Sequence, residues 1–145
     1  MREAASLGFG GIYSSPEHGG CGLGRLDASL VFEALAYGCP VISSYLSIHN
    51  MCNWIIDSFG NEHLKHKYLA KMNTMEILSS YCLTEPDSGS DAQGMKTAAV
   101  LSPCKTYYSL TGSKAFISGG GVSDLYVVMC KTGPNEVTAL VVDKD

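Results

Sequence analysis

The spacing of apolar residues changes character near Thr74, and this change constrains the fold more than any other feature of the chain. Before it, apolar side chains recur at intervals of three and four. Tyr45, Ile48, Cys52, Ile55, Ile56 and Phe59 fall on one face of a helix that ends at Gly60. Residues 2–7 read as the end of a short helix stopped by Gly8. Asp27 is placed to N-cap another helix, which carries Leu30, Val31, Ala34 and Leu35 and is ended by Gly38 and Pro40. A fourth helix starts at Asn61, with Glu62 early and Lys65, Lys67 and Lys71 late, as the helix dipole favours. After Thr74 the chain breaks into "AAVL" (98–101), "TYYSLT" (106–111), "KAFIS" (114–118), "DLYVVMC" (124–130) and "VTALVV" (137–142). These are short, rich in β-branched and aromatic residues, and separated by turn signals. Helices followed by strands predict an α+β fold. Residues 1–76 are assigned to part of a helical domain and 77–145 to part of an antiparallel β-domain. Four short helices and a partial sheet leave apolar faces and strand edges uncovered, so the chain reads as part of a larger fold.

Composition narrows the function classes. Of 145 residues, 46% are hydrophobic and 17% charged, with a net charge of −4 and the Lys and Arg residues scattered. This disfavours nucleic acid or an anionic membrane surface as the main partner. No apolar run approaches the roughly 20 residues that span a bilayer. The first twenty residues lack the apolar core of a signal peptide and make a poor transit peptide. The six cysteines, at 21, 39, 52, 82, 104 and 130, form no Cys-x-x-Cys pair and mostly lie in apolar stretches. They read as reduced core residues of an intracellular protein.

Most candidate motifs resolve to ordinary structure. His63 and His66 share a helix face, but two histidines among lysines make an incomplete metal site, and no metal is expected. "GGCGLG" (19–24) has the wrong spacing for a dinucleotide fingerprint and follows no strand, so it reads as a tight connector packed under the domain. "DSGSD" (87–91) lacks the Gly and Glu of a calcium loop.

Two stretches hold more. In "YCLTEPDSGSDAQG" (81–94), Pro86 biases Glu85 toward extended geometry, and Gly89 permits a left-handed turn in which backbone N–H groups converge. Thr84 and Ser90 add hydroxyl donors. On these grounds the loop reads equally as a turn or as a cradle for an anion such as a diphosphate. In "GSKAFISGGG" (112–121), Phe116 and Ser118 would share one face of a strand. An aromatic wall beside a hydroxyl suits a planar heteroaromatic ring.

Together these stretches resemble the flavin-binding segments of the acyl-CoA dehydrogenase family. Cys82 through Gly94 match its first signature position by position, "GSKAFIS" resembles its second flavin segment, and "PEHGGCGLG" its Gly-rich connector. "SIHNMCNWIIDSFGNEHLKHKY" is most similar to members acting on a short branched acyl-CoA, isobutyryl-CoA foremost. The resemblance implies non-covalent FAD, with Tyr81, Leu83 and Thr84 against the isoalloxazine and ribityl part. Ser90 would serve the diphosphate and contact the acyl-CoA. Phe116 would flank the flavin, and Ser118 would hydrogen-bond near its reactive nitrogen. Cys82, Gly89 and Ile117 belong to the same cofactor segments. It further implies α,β-dehydrogenation in the mitochondrial matrix, an electron-transfer flavoprotein as acceptor, and a homotetramer for the complete protein. The family's catalytic Glu lies in a C-terminal helical domain, so no catalytic residue is assigned here. Glu62, Glu76 and Glu85 do not take that role. The alternative is a non-catalytic remnant acting at most as a flavin- or partner-binding module. Asp87 departs from the family's Gly and is expected to point to solvent, while the extra length around "LSPCK" reads as a hairpin tip.

Overall fold

A computed structural model describes residues 1–144. Four helices come first: α1 (Arg2–Ser6), α2 (Arg25–Gly38), α3 (Pro40–Phe59) and α4 (Glu62–Asn73). Five strands follow: β1 (Ser79–Cys82), β2 (Ala98–Leu101), β3 (Tyr108–Thr111), β4 (Leu125–Gly133) and β5 (Glu136–Asp143). No helix among the described residues is long and apolar enough to cross a membrane.

Local chemistry sets the helix ends, with some corrections to the sequence reading. Asp27 is not the N-cap of α2. Gly24 caps the helix, and Asp27, inside the first turn, accepts the Gly24 amide at 2.8 Å. Gly38 is still helical, and only the extended Cys39 separates α2 from α3. Pro40 therefore opens α3 at a position where no N–H is required. Asn61 caps α4 by accepting the Leu64 amide at 2.9 Å.

The periodic face of α3 builds the core. Cys52 and Ile56 pack against Tyr68, Leu69 and Met72 of α4 and Leu125 and Val127 of β4, with Ile48 and Ile55 alongside. Phe59, expected on that face, is 74% exposed and meets Trp54 edge-on. All six cysteines are free. Cys52, Cys82 and Cys130 are buried as expected, and burial pushes the Cys52 thiol up to about 12. Cys21 and Cys104 are exposed instead.

The sheet is mixed. β2–β3 and β4–β5 pair antiparallel, as expected of a meander. β1 runs parallel to the first half of β4, from Ser79↔Leu125 to Cys82↔Val128, and β2 meets the far end of β4 in parallel at Lys131. β4 is thus the centre, with β5 along one edge and β1 then β2 along the other. Two assignments shift. Residues 79–82 form a strand that the sequence reading did not name, and residues 114–118 are not a strand. The "LSPCK" stretch does form the tip joining β2 to β3.

The Gly-rich connector lies on the surface rather than under the domain. It folds back on residues 11–14, with the amides of Cys21, Gly22 and Leu23 donating to the carbonyls of Gly11, Ser14 and Ile12. Buried amides pin this layer to the helices. Asn50 accepts the Ile12 amide at 2.7 Å and donates to the Phe9 carbonyl at 2.7 Å. Asn53 donates to the Gly10 carbonyl at 3.1 Å and to Asn73 Oδ1 at 2.6 Å, and Asn73 donates to the His18 carbonyl at 2.7 Å.

Candidate functional site

The two stretches singled out in the sequence meet in space. Beyond β1 the chain runs extended through Leu83 and Thr84, and the Ala115 amide donates to the Thr84 carbonyl at 2.8 Å. Lys114 fastens the same junction. Its Nζ donates to the Leu83 carbonyl at 2.9 Å and to Glu85 Oε1 at 2.8 Å. Lys114 and Glu85 are 10% and 5% exposed, so the pair is largely out of water. Glu85 also accepts the amides of Lys96 (2.6 Å) and Thr97 (2.9 Å). Burial alone would raise the Glu85 carboxyl; Lys114 and the two amides outweigh it and hold it at about 2. Glu85 is therefore a fixed structural carboxylate.

This junction presents a cleft of about 180 Å³ lined by Ile48, Tyr81, Leu83, Thr84, Phe116, Ile117 and Ser118. Six of the nine residues expected to hold the cofactor are thus brought together. They come together for a different reason than strand alternation. Phe116 is in the left-handed region at φ 57°, and Gly119 follows at φ 78°. The turn, not a pleat, brings Phe116 and Ser118 to the same cleft. A bulky residue with positive φ is strained, and this one also leaves its ring 95% exposed at the cleft.

The other three expected residues lie elsewhere. Alternation along β1 turns the Cys82 side chain away from Tyr81 and into the interior, at 5% exposure. Gly89 and Ser90 are exposed on the following loop, outside the cleft lining. Gly89 is not left-handed. The loop is instead closed by a tight bridge, with Glu85 and Ser88 exchanging backbone hydrogen bonds at 2.8 and 3.2 Å. Ser88 Oγ donates to the Asp91 carbonyl, and Asp91 accepts the Gly94 amide at 3.2 Å. Asp87 reaches solvent as expected and pairs there with Lys96 at 2.8 Å.

A second, larger cleft of about 520 Å³ adjoins the first. Pro40, Val41, Ser44 and Tyr45 from the start of α3 face Ser118, Gly119 and Val122 across it. Ser118 lines both clefts. Among the described residues, no carboxylate lines either one. Among the described residues no group of His, Cys, Asp and Glu could hold a metal, and His63 and His66 are exposed.

Sequence reasoning missed Lys114, Tyr45 and Ile48 as parts of this region. Lys114 is the one basic residue in its segment, which was a usable signal. Ile48 and Tyr45 looked only like helix-face apolar residues.

Known proteins match the chain along nearly its whole length. Residues 1–76 match the acyl-CoA dehydrogenase N-terminal domain, and residues 80–145 match the acyl-CoA dehydrogenase middle domain. The chain is 56% identical over 147 residues to the mitochondrial isobutyryl-CoA dehydrogenase of Bos taurus, covering 99% of this chain and 35% of that protein. It is 51% identical over 149 residues to the mitochondrial isobutyryl-CoA dehydrogenase of Dictyostelium discoideum, covering 100% and 35%. It superposes with a TM-score of 0.89, at 36% identity, on an acyl-CoA dehydrogenase complexed with FAD from Bacillus anthracis, covering 99% of this chain and 25% of that one.

Proposed function

The chain belongs to the acyl-CoA dehydrogenase family, and from that premise we propose that it forms the flavin-facing side of an FAD-dependent enzyme oxidising a short branched acyl-CoA. It spans 35% of the length of each of these two isobutyryl-CoA dehydrogenases, so the activity proposed is that of the complete protein. Isobutyryl-CoA is the proposed substrate, on the strength of the two relatives named for it. An electron-transfer flavoprotein in the mitochondrial matrix is the proposed acceptor.

The observation that carries this reading is Phe116. Strain at a bulky residue persists only where its surroundings or its role require it. Here it supports an open aromatic wall in a cleft shared with two hydroxyl-bearing residues, Thr84 and Ser118, and otherwise lined by Ile48, Tyr81, Leu83 and Ile117. That donor set fits one flat, mostly apolar ring system with polar edges. Tyr81, Leu83, Thr84, Phe116, Ile117 and Ser118 would hold the isoalloxazine. Ser90, exposed on the adjoining loop, would reach the diphosphate and the thioester's CoA portion, with the Gly89 backbone beside it. FAD, when bound, supplies the hydride acceptor for removal of the β-hydrogen. The chain's own residues bind, orient and exclude water. Among the described residues no carboxylate lines either cleft, so the base that takes the α-proton is assigned to the rest of the complete protein. The adjoining apolar cleft between α3 and Gly119 is the proposed seat of the branched acyl group.

The test is purification of the complete protein. Yellow flavin absorbance and oxidation of isobutyryl-CoA with an electron acceptor are expected. A colourless protein without acyl-CoA oxidation overturns the proposal.

A further inference from the structure

The turn that presents Ser118 is held from behind by a chain of three hydroxyls. Ser80 Oγ lies 2.5 Å from the Ser118 carbonyl oxygen. Ser80 Oγ and Ser123 Oγ are 2.7 Å apart, and Ser123 Oγ and the Tyr45 hydroxyl are 2.7 Å apart. Ser80 and Ser123 are fully buried. Gly119, left-handed at φ 78°, is packed against all three of these side chains, so that a Cβ there would collide with them.

Donor counting gives this chain one direction. A carbonyl can only accept, so the single Ser80 proton is committed to Ser118. The Ser80–Ser123 contact must then be donated by Ser123, and the Ser123–Tyr45 contact by Tyr45. The order is Tyr45 O–H to Ser123 to Ser80 to the Ser118 carbonyl. Successive hydrogen bonds of one sense polarise one another, and the low dielectric of the buried serines strengthens the effect. The head of the chain is on α3 and its tail is the peptide at the junction of both clefts. Burial raises the Tyr45 hydroxyl above its ordinary value, which keeps it a donor at neutral pH.

We infer that Tyr45, through Ser123 and Ser80, is a positioning residue that fixes the Ser118 peptide at the cofactor cleft and couples it to the adjoining cleft, whose wall the Tyr45 ring forms. This rests on the functional reading above. Tyr45 itself touches no reacting atom in this scheme. Its effect passes through the orientation of Ser118.

The test uses the complete protein with Tyr45→Phe, Ser123→Ala and the double variant, measuring flavin absorbance, kcat and KM for isobutyryl-CoA. Tyr45→Phe keeps the ring and removes only the donor. Each single variant is expected to lower kcat about tenfold, with KM changed less than about twofold and the flavin visible band displaced; the double variant should lose no more than the worse single, because the groups act as one unit. A Tyr45→Phe protein that keeps wild-type kcat and flavin spectrum while only its melting temperature falls shows a merely structural hydroxyl and overturns the inference. Fully multiplicative losses in the double variant overturn the relay as well. A colourless, inactive wild-type protein overturns the functional reading together with it, whereas an active wild type matched by its variants overturns the relay alone.

Discussion

Glu85 shows how a single residue can look chemical and be structural. In the sequence it sits in a cluster with Asp87 and Asp91. In the fold it joins Lys114 to two backbone amides with little access to water. Replacing it by Gln leaves the Lys114 ammonium nearly buried without its counter-charge. Breaking such a pair from one side costs about 3 kcal/mol or more. Glu85→Gln should lower the melting temperature markedly and loosen the junction between the Thr84 and Ala115 segments. A variant as stable as the parent in chemical denaturation would refute this. The pH sign follows from the carboxyl's lowered value. Below its unfolded value of 4.5 the unfolded chain takes up a proton that the folded chain refuses until about 2. The stabilisation is full above pH 4.5 and fades as pH falls through that window. The Gln variant should lose this part of the acid dependence. The solvent position of Asp87 was legible, because turn residues act locally. The partner of Glu85 was not, since Lys114 lies 29 positions away.

At the scale of elements, the helices were readable and the strands only partly so. The i, i+3, i+4 pattern of α3 is set by the chain's own geometry, so Cys52 and Ile56 could be placed in the core from spacing alone. β1 escaped notice because "SSYC" carries two polar residues. They are buried because their partners, His49 for Ser79 and Ser118 and Ser123 for Ser80, come from distant elements. "KAFIS" has strand composition but ends at a left-handed Gly119, and its Phe116 cannot be both extended and at φ 57°. Parallel pairing of β1 and β2 with β4 is a tertiary choice that no local signal records.

Two predictions belong to how these elements dock. His49 Nε2 must donate to the Met72 carbonyl at 2.9 Å, since that oxygen only accepts. Nδ1 then accepts the Ser79 amide at 3.2 Å, which ties α3, α4 and β1 together. Burial holds its pKa below 6.5, so the folded form resists a proton that the unfolded form accepts. Stability should therefore fall as pH drops below 6.5, and His49→Gln should remove that slope from a series of denaturation curves. An unchanged slope would count against the neutral tie. The second concerns Gly10, where a Cβ would lie 2.9 Å from the Asn73 carbonyl carbon. Backbone cannot yield cheaply there, so Gly10→Ala should cost about 2 kcal/mol, measurable as a lower denaturation midpoint. A neutral result would show that the connector layer slides freely over α4.

For the whole molecule, the apolar surface decides the behaviour of the 145 residues on their own. Leu26, Leu30 and Tyr37 of α2, Val41 and Phe59 of α3, and Val100, Tyr107 and Tyr108 of the β2–β3 hairpin are each more than 40% exposed. So is Phe116 at the cleft. Monomeric proteins seldom leave so many large apolar groups open on several faces. The sequence already hinted at this, because amphipathic helices and unpaired strand edges outnumber the layers available to cover them. The chain matches both an N-terminal and a middle domain, yet covers 35% of each of the two isobutyryl-CoA dehydrogenases it resembles. Produced as these 145 residues alone, it should bind a hydrophobic dye strongly and elute as more than a monomer. It should retain FAD weakly, because the Phe116 ring at the cleft stands 95% exposed. It should not oxidise isobutyryl-CoA, because among the described residues neither cleft offers a carboxylate to take the α-proton. Light scattering, dye fluorescence and an acceptor-coupled assay on the same preparation check all three. A dye-silent monomer would show that these faces need no cover. Turnover by the isolated chain would place the base among residues that line neither cleft here, and would refute the division of labour proposed for the enzyme.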